Sequence, residues 1–394
     1  MQKTTKHMNN FKSLDMGLFE VSNNLVKDLE LLDETDNLAM ALELYKKPNI
    51  ATAQDMQLVF KSAHSHTSAH AHTHSRAHTH TSVYDDIPDT FDLSDKYNIF
   101  QDKIIFKDWF NEPLNKYKEI ISNYNHLMLG NDFNQPVSEL FTNLTQLTFG
   151  CEFNHPVTRL LFPNLTYLVF GTCFNKQVDF LPQSLIYLEF GNKFNQPVDA
   201  LPKTLERLTF GSYFNRSANE LPQSLTHLEF GDEFNQPLER LPNKLTYLVF
   251  GNHFNQPLEG LPENLIHLEF GNSFNHPLEG LPNIKYLRIN HNNLGLTDNL
   301  PNSLEELVLD WNFNLQLDNL PNQLKKLSFY NHRYYTSKYN KDLNNLPESI
   351  EWIELPCDYD KKIKKLPKNL KTITLGRGYQ FSDDFVNHQV IFHY

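Results

Sequence analysis

The chain has 394 residues, and its 47 acidic side chains outnumber 35 basic ones to give a formal net charge of -12. An acidic chain is a poor match for duplex DNA or an anionic membrane, so protein partners are favoured and nucleic acid is not. Three cysteines without zinc-ligand spacing favour a reducing, intracellular and cytoplasmic location. The sequence shows no run of about 18 apolar residues and no secretion signal, so no membrane span is predicted.

Apolar residues at helical spacing predict a small helical bundle at the amino terminus, within residues 14–61. Ser22 can cap a first helix, and Thr35 or Asp36 can cap a second. Thr52 opens a third with a capping-box pattern. A bundle this small has a marginal core and leaves apolar residues ahead of its first helix for a partner to bury.

The segment "LFEVSNNLVKDLELLDETDNLAMAL" resembles the F-box, the module that docks on Skp1 in cullin-type ubiquitin ligases. The resemblance implies an F-box-like domain at residues 1–61 that binds a Skp1-type adaptor. Six apolar positions would form that contact: Leu18, Val21, Leu25, Leu29, Leu32 and Leu38. The alternative is a generic helical cap on the repeats that follow, since the patterning of short helical bundles is degenerate.

Two segments connect this region to the repeats. Residues 62–82 contain seven histidines among Ser, Thr and Ala, which predicts a His-rich disordered linker. The His-x-His spacing suits Zn, Ni or Cu, but no cysteine or carboxylate completes a shell, so neither a metal site nor a cofactor is assigned. Residues 83–109 are predicted to form the amino-terminal cap of the repeats.

One unit of three parts repeats along residues 110–280. Phe-Gly pairs end at every twentieth residue from Gly171 to Gly271, a Phe-Asn pair follows each, and an "LPxxL" stretch leads to the next. A unit this short has room for one strand and a return path. The pattern therefore predicts a repeat solenoid with a parallel β-sheet on one face. Pro182 and Gly191 are predicted to bound the strand of one unit.

The stretch "YLEF" predicts which side chains point into the solenoid. Leu188 and Phe190 alternate with Tyr187 and Glu189, at the period of two that a half-buried strand requires. The leucine and phenylalanine are expected to point inward. Asn195 lies in the following turn, where its side chain can bond to the neighbouring coils and satisfy backbone groups.

The later unit "IKYLRINHNNL", residues 284–294, fits the leucine-rich pattern L-x-x-L-x-L-x-x-N-x-L. More specifically, the "FG..FN.P" block resembles the FNIP repeat, a leucine-rich-type repeat known from amoebae and giant viruses. The resemblance implies FNIP repeats at residues 110–280, degenerate repeats at 281–375 and a carboxy-terminal cap at 376–394. An F-box followed by FNIP repeats is familiar in giant viruses, which would place the protein in the host cytoplasm.

The outward side of the strands is the predicted protein-binding surface. Aromatic rings on a rigid sheet often contribute most of the binding energy of an interface, and a row of acidic residues favours a basic partner. The residues predicted to bind the target are Tyr167, Tyr187, Glu189, His227, Glu229, Tyr247, His267, Glu269 and Tyr286. The alternative is that neighbouring rings stack across strands for stability.

The sequence shows no nucleophile with its base, no phosphate-binding loop and no paired carboxylates, so no catalytic residue and no enzymatic activity are predicted. The predicted function is protein interaction. The chain would be the substrate-recruiting F-box subunit of a ubiquitin ligase, with a solenoid that binds the target. The alternative is a protein-binding scaffold without a ligase connection.

Overall fold

A computed structural model describes the chain from residue 95 onward. The described residues are 95–158, 161–278, 280–289, 300–329, 337–376, 378–385 and 388–392, and all fall within the unit Thr90–Tyr394. The predicted F-box-like bundle and the His-rich linker lie outside the described residues. Among those that are described, no helix is long and apolar enough to cross a membrane.

Sixteen short strands form one sheet in this part of the chain, in sequence order. They are β1 Tyr97–Phe100, β2 Lys103–Phe106, β3 His126–Met128, β4 Gln146–Thr148, β5 Tyr167–Val169, β6 Tyr187–Glu189, β7 Arg207–Thr209, β8 His227–Glu229, β9 Tyr247–Val249, β10 His267–Glu269, β11 Tyr286–Ile289, β12 Glu306–Leu309, β13 Lys326–Phe329, β14 Trp352–Glu354, β15 Thr372–Leu375 and β16 Gln389–Phe392. The first two strands pair antiparallel, and every later pair is parallel. A 3-10 turn at Leu114–Tyr117 leads into the short helix α1, Lys118–Ile121, and a second turn spans Ser382–Phe385. The predicted parallel solenoid is confirmed.

Leucine and phenylalanine columns fill the interior of the solenoid, as the strand pattern predicts. Leu188 is fully buried and lies opposite the equivalent leucines of both neighbouring strands. Phe190 is 2% exposed, and its ring stacks on that of Phe194 with 3.7 Å between centroids. It also stacks 5.8 and 5.7 Å from Phe170 and Phe210 of the adjacent coils. Each ring therefore buries its faces against its own coil and two others, and full burial of such a side chain contributes about 1.5–3 kcal/mol.

A ladder of asparagine side chains joins the turns, which confirms the predicted role of Asn195. Its backbone N–H donates to Oδ1 of Asn175 at 3.0 Å, and its own Oδ1 accepts the backbone N–H of Asn215 at 3.1 Å. Bonds of 2.9–3.1 Å connect nine asparagines in this way: Asn111, Asn134, Asn154, Asn175, Asn195, Asn215, Asn235, Asn255 and Asn275. We call this set the asparagine ladder. Gln196 adds a bond from Nε2 to the same oxygen of Asn175. The asparagine and the glutamine of this repeat therefore both donate to one acceptor in the preceding coil.

The recurrent glycine allows two coils to approach at backbone distance. A Cβ atom at Gly191 would lie 2.0 Å from the carbonyl oxygen of Gly171, and the same clash recurs from Gly130 to Gly271. No side chain fits such a gap, and the atom it would meet is backbone that cannot turn aside. The sequence predicts only that Gly191 ends the strand. The structure shows that it also sets the spacing between coils.

The carboxy-terminal coils keep the ring column but change its residue type. Phe313 is followed in the stack by Tyr339, Tyr359 and Tyr379, at centroid distances of 6.1, 6.3 and 6.2 Å. The hydroxyl of Tyr359 donates to the carbonyl oxygen of Lys341 at 3.0 Å. These coils therefore preserve the packing of the repeat although tyrosine replaces phenylalanine after Phe313.

We predict that Gly191→Ala destabilises the solenoid, because its methyl group would overlap the carbonyl oxygen of Gly171. Overpacking of this kind costs roughly 1–3 kcal/mol or more. Thermal unfolding followed by circular dichroism should show a lower midpoint. Gly378→Ala is the control, because a Cβ atom there meets nothing within 4 Å. Equal midpoints for the two variants would contradict this account of the glycine.

Candidate protein-binding face

The outward face consists of the side chains at the first and third positions of strands β5–β11, on either side of the buried central leucine. All nine residues predicted to bind a target lie on it: Tyr167, Tyr187, Glu189, His227, Glu229, Tyr247, His267, Glu269 and Tyr286. Each is half-buried. The parallel register brings the first positions into one column and the third positions into another.

Rings occupy six of the seven first positions, and we call them the ring ladder: Tyr167, Tyr187, His227, Tyr247, His267 and Tyr286. Adjacent rings stack with centroids 4.0–5.4 Å apart. Arg207, which is exposed, fills the seventh position and divides the ladder in two. The cross-strand stacking that the sequence left as an alternative is therefore present.

Stacking turns the faces of these rings toward each other, so the ring edges and their polar atoms remain for contact with a partner. Burial, and then the charge of Glu189, raise the pKa of Tyr167 to about 12. Burial and the same carboxylate also raise the pKa of Tyr187. These phenols are thus protonated at neutral pH. The Tyr187 hydroxyl donates to Oε2 of Glu189 at 2.8 Å.

Carboxylates occupy the third position in alternate strands, at Glu189, Glu229 and Glu269. Because neighbouring strands lie about 4.8 Å apart, successive carboxylates are separated by about 10 Å. Glu269 is held by Nε2 of His267 at 2.7 Å and by Nη1 of Arg288 at 3.7 Å. Two members of the acidic row, Glu189 and Glu269, are therefore held by neighbouring side chains.

His227 is neutral at neutral pH, and one of its nitrogens is tied to the chain. Burial, followed by the charge of Arg207, lowers the pKa of His227 to about 4. Its Nδ1 lies 2.9 Å from the hydroxyl of Thr226, which itself donates to the carbonyl oxygen of Glu206. A hydroxyl has one proton to donate, so Nδ1–H is the donor to Thr226. The other ring nitrogen, Nε2, is then an acceptor.

His126 is a residue that the sequence analysis missed. It begins β3 in the same column as the ring ladder and lies opposite Lys103 and Gln146. The side chain is 7% exposed, and neither ring nitrogen has a hydrogen-bond partner. Burial, and then the charge of Lys103, lower the pKa of His126 to about 4. The sequence signal for His126 was its alignment with the outward column. The repeat pattern does not show that this position is buried.

Acid should weaken the fold through His126. The unfolded chain binds a proton on this ring near its ordinary pKa of 6.5, whereas the folded chain binds it only near about 4. The free energy of unfolding therefore falls as the pH drops through this interval, and the stabilisation is complete above it. We predict that His126→Gln flattens this slope in urea unfolding measured across the interval. An unaltered slope in His126→Gln would refute the prediction.

Comparison with known proteins agrees with the repeat that the fold shows. Within the parallel solenoid, five segments match the FNIP Repeat model, of which the first two and the last two overlap: residues 153–193, 174–213, 214–253, 254–292 and 291–332. The chain therefore contains FNIP repeats. The asparagine ladder extends the same geometry back to Asn111, ahead of the first matched segment. No curated protein matches the chain.

Three solved structures are similar to parts of the chain. CroV588, described as a novel circular LRR protein, is 30% identical over 72% of this chain and 58% of its own, with a TM-score of 0.47. The chain thus spans 58% of the length of CroV588. YopM from Yersinia enterocolitica is 19% identical over 64% of this chain and 68% of its own, with a TM-score of 0.35. The functional domain of InlJ from Listeria monocytogenes is 14% identical over 70% and 67%, with a TM-score of 0.40.

Proposed function

We propose that the chain is an intracellular protein-interaction adaptor whose outward face binds a protein target. The observation that supports this is the presence of six stacked or aligned rings and a row of three carboxylates, two of them held by neighbouring side chains, on one continuous sheet. Side chains that are already held in place lose little conformational entropy when a partner binds. The face therefore combines the two properties that favour recognition, namely rigidity and polar groups at fixed spacing.

The geometry favours a basic partner. Because the ring faces are stacked within the ladder, a target would meet ring edges, the Nε2 atom of His227 and the carboxylates of Glu189, Glu229 and Glu269. Acidic groups about 10 Å apart match a target in the polyproline II conformation with a basic residue at every third position, since its three residues per turn rise about 3.1 Å each and place those residues on one side. Stacking then supplies the rigidity of the face, and the carboxylates supply its selectivity.

The acidic row can be tested without disturbing the ring ladder. We predict that the triple change Glu189→Gln, Glu229→Gln and Glu269→Gln raises the Kd for a captured basic target about tenfold or more. The melting temperature should change little, because glutamine keeps the size of each side chain and its capacity to accept hydrogen bonds. Targets are obtained by mass spectrometry of proteins retained by the full chain, and their affinities are then measured by calorimetry.

The matched control removes the same amount of charge from exposed positions away from the outward face. It carries glutamine at Glu220, Glu239 and Glu263. Equal affinities for the two triple variants would show that binding does not use the outward face. A general loss of affinity in both would indicate a nonspecific charge effect.

The F-box resemblance supports a more specific proposal, that the amino-terminal region connects the captured target to a ubiquitin ligase. The positions concerned, Leu18 to Leu38, lie outside the described residues. In this arrangement the catalytic residues belong to the partner complex. A non-ligase scaffold with a helical cap is the competing function.

A pull-down of a purified Skp1-type adaptor by the full chain separates these two functions. We predict binding, and its loss in the double variant Leu29→Asp with Leu32→Asp, because charges would replace the apolar contact. Asn23→Asp with Asn24→Asp adds the same charge at polar positions and should leave binding intact. Failure of the unmodified chain to bind would favour the scaffold.

A further inference from the structure

Among the described residues, the sheet ends at β1 on one side and at β16 on the other, and no strand covers either edge. Of the strands in the described part of the chain, β1 pairs only with β2, and β16 pairs only with β15. The outer side of an edge strand offers unpaired N–H and C=O groups to another chain, and proteins commonly protect such strands with charged residues or proline. Neither "YNIF" in β1 nor "QVIF" in β16 contains any of these.

Apolar side chains are exposed on both edge strands. Ile99 and Phe100 of β1 are 44% and 40% exposed, and Ile391 and Phe392 of β16 are 41% and 44% exposed. In the middle of the solenoid, inward residues such as Leu188 have no exposure at all. The apolar interior is therefore open at both ends.

The inward side chains of the two edge strands can extend one core. Tyr97 and Ile99 lie opposite the buried Phe106 and Ile104, so they point to the interior side of the sheet. At the other end, Val390 and Phe392 lie opposite the buried Ile373 and Leu375. Each edge thus presents two apolar residues on the same side.

The directions of the strands also match. β16 runs parallel to the strand before it, whereas β1 runs antiparallel to the strand after it. If the sheet of one copy continued into the next, β16 would meet β1 in the antiparallel sense. A register that pairs Tyr97 with Phe392 and Ile99 with Val390 engages all four residues of each strand and keeps all four apolar side chains inside.

Charge at the two ends is complementary as well. Residues 361–371 contain six lysines, in a chain with a net charge of -12. Lys365 and Lys371 bond to Glu348 and Glu351, whereas the remainder includes Lys361, Lys364 and Lys368, which make no ion pair with the described residues. At the other end, the exposed Asp95 lies just before β1.

We infer that copies of this chain associate head to tail, with the β16 edge of one copy paired to the β1 edge of the next. Such a contact uses two different surfaces, so every open assembly keeps one free β1 edge and one free β16 edge. It therefore builds a ring if the rotation closes and a filament if it does not. The partner of each end is a second copy of the same chain.

Blocking each end separately tests the arrangement. Ile99→Lys places a charge on the inner side of β1, and Phe392→Lys does the same on β16. In sedimentation velocity the unmodified full chain should form species larger than a monomer, and each variant alone should be monomeric, with association weakened at least about tenfold. An equimolar mixture of the two variants retains one intact contact and should give dimers that grow no further.

Ile186→Lys is the matched control, because Ile186 is 43% exposed but lies in the middle of the solenoid, and it should associate like the unmodified chain. Phe100→Lys and Ile391→Lys repeat the test on the opposite side of each edge strand. Circular dichroism checks that every variant is folded. A monomeric unmodified chain would overturn the inference. So would oligomers formed by Phe392→Lys alone, since these would require contacts between like ends.

Discussion

The structure depends on the contact between one coil and the next. A coil of about twenty residues cannot repay the entropy of ordering its own backbone, because it contributes only a few large apolar side chains. Phe190 and Phe194 are buried because the rings of the neighbouring coils cover their faces. Gly191 lets the backbones come close enough for that coverage. Folding and stacking are therefore the same process in this protein.

The local part of this arrangement could be predicted from the sequence. The alternation in "YLEF" gives the inward leucine and phenylalanine, and the fixed period gives the stacking of coils. The role of Asn195 also follows, since a turn with unpaired backbone groups needs an acceptor. The role of Gly191 did not follow, because the atom that excludes a side chain belongs to a residue twenty positions earlier. The tyrosines that replace phenylalanine after Phe313 were also missed, because these coils keep the ring packing of the repeat while the residue type changes.

The alternation in the strands predicted which positions flank the buried leucine, whereas the packing of the side chains there was only partly predictable. The sequence places the rings and the carboxylates in two columns, and the structure has both. Whether a ring exposes its face or its edge depends on the distance to the next ring, and the sequence pattern does not give that distance. His126 illustrates the same limit, because its column position is evident but its burial results from three-dimensional packing at the first coils.

The asparagine ladder makes every coil interchangeable with its neighbours. Each asparagine accepts a hydrogen bond from the coil that follows and donates its own backbone N–H to the coil that precedes. A coil inserted between two others could therefore form both bonds. Duplication or deletion of a whole unit in the gene would then preserve the fold, and small changes in the length of a coil are tolerated as well, since the ladder bonds already span 20, 21 and 23 residues. A lineage carrying this sequence can therefore lengthen or shorten the outward face by recombination of whole units, while the fold stays the same.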